Sequence, residues 1–377
     1  MTEKKKSTVP VSSVGADGEQ PKTKNHTEII ANEIAQINLQ ATNCPKKSGR
    51  GGGLQTVSMT ELYDTLYPPR TPVVDGFLYG GTYLFVGAPK VGKSFFTGQL
   101  AYHIAMGIPL WDYPVRKGTV LYLALEDDYA RLQRRLSQMF GIESADNLYF
   151  ATQAKTLKEG LDGELEEFVK QHTDARLIII DTLQKVREVG GETFSYSNDY
   201  EIVTNLKAFS DKYGICLLVV HHTRKMESSD SFDMISGTNG LLGAADGAFI
   251  MQKKKRTDNT AVLDIVGRDQ PDQELTIEFD RERCIWKFKK AETELWKQPP
   301  NPLLEAINEF LSEARPEWEG TATELLKQLP DMQLSANVLS RKLNVVNSQL
   351  LNDYGIFYDN KRGHERRIIL KRLERNE

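Results

Sequence analysis

The 377-residue chain is short of several features that would announce a function. Cysteine occurs three times, as Cys44, Cys216 and Cys284. The three are far apart, with no CxxC pair and no histidine at metal-ligand spacing, which argues against a disulfide framework and a zinc site. The thiols are read as reduced. No uninterrupted apolar run approaches the ~18 residues of a spanning helix, so no membrane partner is expected. The opening MTEKKKSTVPVSSVG lacks the apolar segment of a secretory signal, and a cytoplasmic location is the expectation. A global basic field is also missing: 48 Lys and Arg against 52 Asp and Glu leave a formal net charge of −4. Any binding of nucleic acid must therefore come from local patches. Aromatic residues are absent before Tyr63. Residues 1–56 accordingly read as a disordered tail rich in Lys, Ser, Thr and Gly. The first 53 residues hold eight basic and five acidic side chains, which fits either a weak tether to a partner or a plain solvated leader.

What is present is an ordinary soluble balance, 40% hydrophobic and 27% charged, in a chain long enough for two domains. From Val57 to Lys290 short β-branched or aliphatic runs alternate with polar helical stretches, an α/β rhythm. Strands are predicted at Thr82–Val86, Thr119–Leu125, Leu148–Ala151, Leu177–Asp181, Cys216–Val220 and Gly247–Met251. Ala261–Val266, Leu275–Phe279 and Cys284–Phe288 are expected to form an antiparallel appendage. Ser94–Met106, Asp128–Phe140, Leu161–Gln171 and Asp199–Tyr213 are long enough to be helical crossovers in a wound, mostly parallel sheet. The first domain is thus assigned to 57–292. A proline-rich linker follows over 293–302, ending Lys297-Gln-Pro-Pro-Asn-Pro302. The second domain, 303–377, reads as four helices, Leu303–Ala314, Ala322–Leu329, Ala336–Leu343 and Val346–Asp353. Two short strands, Ile356–Tyr358 and Arg367–Lys371, then flank a turn over Asp359–His364.

The most specific signal is Gly87-Ala88-Pro89-Lys90-Val91-Gly92-Lys93-Ser94, which fits GxxxxGK[ST] without a mismatch. It follows the strand-like TYLFV and precedes an apolar helical stretch, so the loop ends where orphan N–H groups and the helix dipole favour phosphate. Gly87 and Gly92 permit close backbone approach. Lys93 can reach the β and γ phosphates of ATP, and the Ser94 hydroxyl can serve a Mg²⁺ site. Asp181 closes the apolar strand LIIID; it reads as the second Mg²⁺ anchor or as an Asp capping the next element. Glu126 follows VLYLAL directly and reads as the general base or as an inert strand-end acid, whereas Asp128 suits a helix N-cap. His221 and His222 end LLVV. Neighbouring strand residues face opposite ways, so one is expected to pack inward and the other to sense a terminal phosphate.

GAPKVGKS, VLYLALEDD with RLQRRL, LIIIDTL, LLVVHHTRK and SGTNGLLGAADGAFI, in that order, resemble the RecA-like P-loop ATPases related to plasmid RepA-type hexameric replicative helicases and, more distantly, to DnaB-like and KaiC-like proteins. The resemblance covers about residues 70–290. It implies a RecA-like fold, a catalytic role for Glu126 and a sensor role for His222. It also implies a homo-hexameric ring with ATP sites between subunits, a neighbour's finger for which Arg268 is the candidate, and single-stranded DNA in the central channel. Arg268 reads equally as a surface arginine paired with Asp264 or Asp269, and Lys253–Arg256 as a solvated turn. The loop Thr223–Asn239, with Arg224 and Lys225, matches the channel-lining element or reads as a disordered loop without DNA contact.

The C-terminal segment looks like a winged helix. Leu339, Leu343, Val346 and Leu350 form a core stripe, and between Lys361 and Arg375 seven basic residues face two acidic ones. Arg341, Lys342, Lys361, Arg362, Arg366 and Arg367 are the candidates for duplex contact, with protein docking as the other use of such a module. The functional expectation is a Mg²⁺-dependent ATPase and DNA helicase for replication of a plasmid or mobile element, working with other replication proteins. An ATP-switched DNA-binding regulator or loader is the rival.

Overall fold

The computed structural model describes residues 56–69, 71–187, 196–222, 239–255, 257–268, 270–292, 301–329, 332–362 and 366–373. Residues 1–55 of the tail expected over 1–56, most of the linker, and the loop bearing Arg224 and Lys225 lie outside the described residues, as do Arg256, Asp269 and the Arg362 side chain.

A short helix, α1 (Met59–Asp64), and an antiparallel ribbon of β1 (Pro72–Val74) and β2 (Leu78–Tyr79) come first. Then follow β3 (Gly81–Gly87), α2 (Lys93–Met106), β4 (Thr119–Ala124), α3 (Tyr129–Phe140), β5 (Leu148–Ala151), α4 (Leu161–Gln171) and β6 (Ala175–Asp181). Next come α5 (Leu183–Val186), α6 (Tyr196–Tyr213), β7 (Cys216–His222), α7 (Asn239–Ala244), β8 (Gly247–Gln252), β9 (Thr260–Gly267), β10 (Gln270–Asp280) and β11 (Ile285–Glu292). All but the ribbon join one sheet in the order β11-β10-β9-β8-β3-β7-β6-β4-β5. The six strands from β8 to β5 run parallel. The expected appendage is not separate: β9 pairs antiparallel along β8, from Gly247 opposite Gly267 to Gln252 opposite Val262, so β9, β10 and β11 widen the same sheet.

The central strands are continuous apolar runs because both faces are covered. Leu177 and Ile179 are buried on one face with α2, Ile178 and Ile180 on the other with α4 and α6. Burial of each such side chain contributes roughly 1.5–3 kcal/mol. Helix α2 buries residues on nearly every side, among them Phe96, Gln99, Leu100, Tyr102 and Ile104, because it lies under β9–β11 as well as on the parallel strands. Gln99 brackets the backbone of Trp286 on β11, Nε2 donating to the carbonyl at 3.0 Å and Oε1 accepting from the N–H at 2.8 Å.

The C-terminal unit comprises α8 (Pro302–Phe310), β12 (Glu317–Gly320), α9 (Ala322–Gln328), α10 (Ala336–Tyr354), β13 (Ile356–Arg362) and β14 (Arg366–Arg372). Its antiparallel sheet has the order β12-β14-β13, and Leu304, Ile307, Leu339, Leu343, Leu350 and Leu370 lie in its core. In chain order the unit is thus a helix, a strand, two helices and a hairpin. Three expectations change here. The helices predicted over Ala336–Leu343 and Val346–Asp353 are one, because Asn344 and Val345 between them break nothing; the stop comes at Gly355, whose φ of +65° makes a left-handed cap. Asp359–Arg362 belong to strands rather than to a turn, since β13 pairs with β14 as far as Arg362 opposite Arg366. The short edge strand β12 has no counterpart among the expected elements, because Trp318 is its one apolar marker.

Candidate functional site

The Gly87–Ser94 loop joins β3 to α2 at the edge where the parallel strands end, and the exits of β4, β6 and β7 lie along the same edge. Gly92 adopts φ +111°, and a Cβ placed there would stand 2.6 Å from the Trp286 ring. A Cβ on Gly87 would meet the Met251 carbonyl at 2.6 Å. Close approach therefore requires glycine at both positions, and at Gly92 the backbone conformation requires it too. The Trp286 indole N–H donates to the Gly92 carbonyl at 3.2 Å, so the antiparallel half of the sheet braces the loop.

Lys93 is buried. Its ammonium donates to the carbonyls of Gly87 at 2.7 Å and Ala88 at 3.1 Å, and stands 3.0 Å from His222 Nδ1. Burial pushes its pKa down to about 8, against the opposing pull of Asp181 and Glu126. Ser94, the next residue, donates its hydroxyl to Asp181 Oδ2 at 3.0 Å. Asp181 does not cap α5, whose N-cap is Thr182; it is buried, and desolvation raises its carboxyl above the usual range even though hydrogen bonds from Tyr122 and Ser94 oppose this.

The acidic triplet after β4 separates by task. Asp128 caps α3, accepting from the Arg131 N–H at 2.7 Å, and Asp127 pairs with Arg135 at 2.7 Å and Arg131 at 3.2 Å. Glu126 turns to the loop edge, where Oε1 accepts from the Thr182 hydroxyl at 3.2 Å and Oε2 lies 3.8 Å from His222 Nε2. Its side chain is 46% exposed, open to an incoming group. His221 points the other way. Burial, with Arg187 and other cations nearby, pushes its pKa down to about 4, so it stays neutral. Lys93 thus contacts His222 and Ser94 contacts Asp181 at hydrogen-bond distance, Glu126 lies 3.8 Å from His222, and the charges of Asp181 and Glu126 both act on Lys93.

Arg268 does not join them. It follows β9, whose last residue lies opposite the first of β8, and so stands at the other edge of the sheet, its guanidinium donating to the Gly243 carbonyl at 2.8 Å. Lys253, expected in a solvated turn, instead lies over the Trp286 ring, 5.1 Å from its centroid. Sequence reasoning missed Tyr122, Thr97, Thr182 and Trp286. The available signal for the first was a lone phenol inside the aliphatic strand VLYLAL, on the face that strand alternation gives to α2.

Of the expected duplex contacts, Lys342, Lys361, Arg366 and Arg367 are exposed, and Arg367 pairs with Glu319 at 3.1 Å. Arg341 is engaged within the chain: its Nε donates to Asp64 Oδ1 at 2.8 Å. On the same face of α10, Asn344 donates to the Tyr63 carbonyl at 2.9 Å and Asn347 to that of Tyr67 at 2.7 Å. The polar face of α10 is thereby occupied by residues 63–67.

No helix among the described residues is long and apolar enough to cross a membrane. Residues 52–228 match the family model described as an AAA domain. Among solved structures, the chain is similar to an ATPase domain, at 14% identity over 56% of this chain and 85% of that one, with a TM-score of 0.47. It is also similar to a DnaB-like replicative helicase studied with its interactions with primase, at 14% identity over 69% of this chain and 75% of that one, with a TM-score of 0.47. No curated protein matches the chain.

Proposed function

We propose that the chain carries a RecA-like P-loop ATPase domain, hydrolyses ATP with Mg²⁺ and uses the cycle to act on DNA. The observation that carries this is the meeting of Lys93, Ser94, Glu126, Asp181 and His222 at one strand-to-helix corner. In this reading the loop N–H groups and Lys93 bind the β and γ phosphates, Glu126 takes the proton of the attacking water, and neutral His222 reports the terminal phosphate.

The oxygen donors Ser94 and Asp181 fit a hard divalent cation that shares its shell with phosphates. Among the described residues no group of three or more His, Cys, Asp or Glu forms a cage of its own. When bound, Mg²⁺ neutralises charge on the phosphate oxygens.

The finer proposal is a homo-hexameric DNA helicase for plasmid or mobile-element replication. Arg224 and Lys225 would track single-stranded DNA, Arg268 would serve a neighbour's site, and the C-terminal unit would hold duplex DNA or a replication partner. Its support is the order and spacing of the motifs. The experiment is unwinding of a forked duplex. Wild type is expected to unwind with ATP and Mg²⁺, and Glu126→Gln to bind ATP while unwinding at least ~10²-fold more slowly. ATP-dependent DNA binding without unwinding by the wild type would instead identify a nucleotide-switched regulator or loader.

A further inference from the structure

Beneath the candidate catalytic groups, a buried chain of hydroxyls reaches Asp181 from the sheet interior. Tyr122, in the middle of β4, is 1% exposed. Its hydroxyl lies 2.8 Å from Thr97 Oγ1 on α2 and donates to Asp181 Oδ2 at 2.9 Å. An ionised carboxylate only accepts, so the phenol is the donor to Asp181 and is free to accept from Thr97. Ser94 donates to the same oxygen, Oδ2. Asp181 is therefore held by one donor from the phosphate loop and one from the core, and Oδ1 receives neither of them.

These two donors differ in what nucleotide binding asks of them. Ser94 sits at the start of α2, where the reading above gives its hydroxyl to the cation. Tyr122 has no such freedom: its ring packs against Phe150 at a centroid distance of 5.7 Å, and its oxygen is enclosed by Thr97 and Asp181. Packing alone would be met by phenylalanine, so the hydroxyl has to be explained by what it bonds.

We propose that Tyr122 is a positioning residue for the cation site. Its O–H keeps the Asp181 carboxylate oriented once Ser94 has released it, and Thr97 aims that O–H. The inference rests on the Mg²⁺-nucleotide reading of the corner. Groups that orient a metal-binding carboxylate without touching the metal typically change metal affinity about 10- to 100-fold when removed.

The test is equilibrium binding of a fluorescent ATP analogue to the whole 377-residue chain, titrated with Mg²⁺ and repeated in EDTA, for wild type, Tyr122→Phe and Thr97→Val. Tyr122→Phe is expected to raise the Mg²⁺ concentration at half-effect about tenfold or more and to leave metal-free affinity within about twofold of wild type. Thr97→Val should shift it in the same direction by less, and supplies the readout if Tyr122→Phe does not fold. An unshifted Mg²⁺ curve in the Tyr122 and Thr97 variants overturns the proposal, as does an equal loss of affinity with and without Mg²⁺, which would make the phenol a support for the loop. If wild type binds no nucleotide at all, the functional reading itself fails.

Discussion

Lys93 and His222 meet at 3.0 Å, Nζ to Nδ1. An ammonium only donates, so Nδ1 carries the lone pair and the proton of the neutral ring sits on Nε2, which faces Glu126. Burial, and next the Lys93 charge, hold the His222 pKa below its ordinary value, so the ring is neutral near pH 7 and above. The imidazole thus links Lys93 to the candidate base, and in the proposed reading a phosphate drawing Lys93 away breaks that link.

Nucleotide affinity should consequently fall with rising pH well before an ordinary lysine titrates. Burial lowers the Lys93 pKa to about 8, so above that pH the empty site progressively loses its proton. A bound polyphosphate favours the charged form and raises the pKa, so binding at pH ~8–9 must take up a proton. Affinity should then drop up to about tenfold per pH unit above ~8, until the bound-state pKa is reached. Calorimetry in two buffers of different ionisation enthalpy measures the uptake; a pH-independent affinity between about 7 and 9 would contradict it.

Gly92→Ala should abolish nucleotide binding while leaving the fold in place. The position has φ +111°, and the added Cβ would stand 2.6 Å from the Trp286 ring, so either the loop or the tryptophan must move. The Trp286 N–H bond to Gly92 makes that residue's emission a reporter of the loop. Wild-type fluorescence should change on adding ATP, and the change should vanish in Trp286→Phe. A Gly92→Ala protein with unaltered affinity would show that the loop has room the structure denies it.

How much of this is legible in the sequence depends on the range of the interaction. The loop, Asp181, Glu126 and His222 are readable because each lies at the end of an apolar run, where local pattern fixes both strand and exit. Tyr122 and Trp286 are not, because their partners lie 59 and 194 residues away, and no local periodicity encodes such a meeting. The same limit explains the sheet: Ala261–Val266 is recognisable as a strand, but not its pairing along the edge of β8. Arg341 reads as a DNA contact because its own segment is basic; its partner Asp64 lies 277 positions earlier.

A purely structural consequence concerns Asp246, just before β8. It is buried, and Oδ2 accepts from the Thr82 N–H at 3.0 Å while Oδ1 pairs with Lys207. Asp246→Ala strips a largely buried cation of its partner and leaves the Thr82 N–H without this acceptor. The cost should be about 3 kcal/mol, at the lower end for broken buried pairs because Lys207 keeps some exposure and also meets Asp211 at 3.4 Å. Urea unfolding measures it; a loss below about 1 kcal/mol would place the pair in solvent-like surroundings.

The C-terminal unit separates two kinds of basic residue that look alike in the sequence. Lys342, Lys361 and Arg366 are exposed, whereas Arg341 is tied to Asp64 and shares its face of α10 with Asn344 and Asn347, which hold residues 63–67. If the exposed set contacts phosphates of duplex DNA, replacing each with alanine should lower the slope of log affinity against log salt by about one and weaken binding to all sequences similarly. Arg341→Ala should leave that slope unchanged and instead loosen residues 58–67, seen as faster amide exchange there. Fluorescence anisotropy of labelled duplex across a salt series distinguishes the two. An unchanged slope in the triple variant Lys342→Ala, Lys361→Ala, Arg366→Ala would remove DNA as the ligand of this surface, and a reduced slope in Arg341→Ala alone would mean that residues 58–67 leave α10 when DNA arrives.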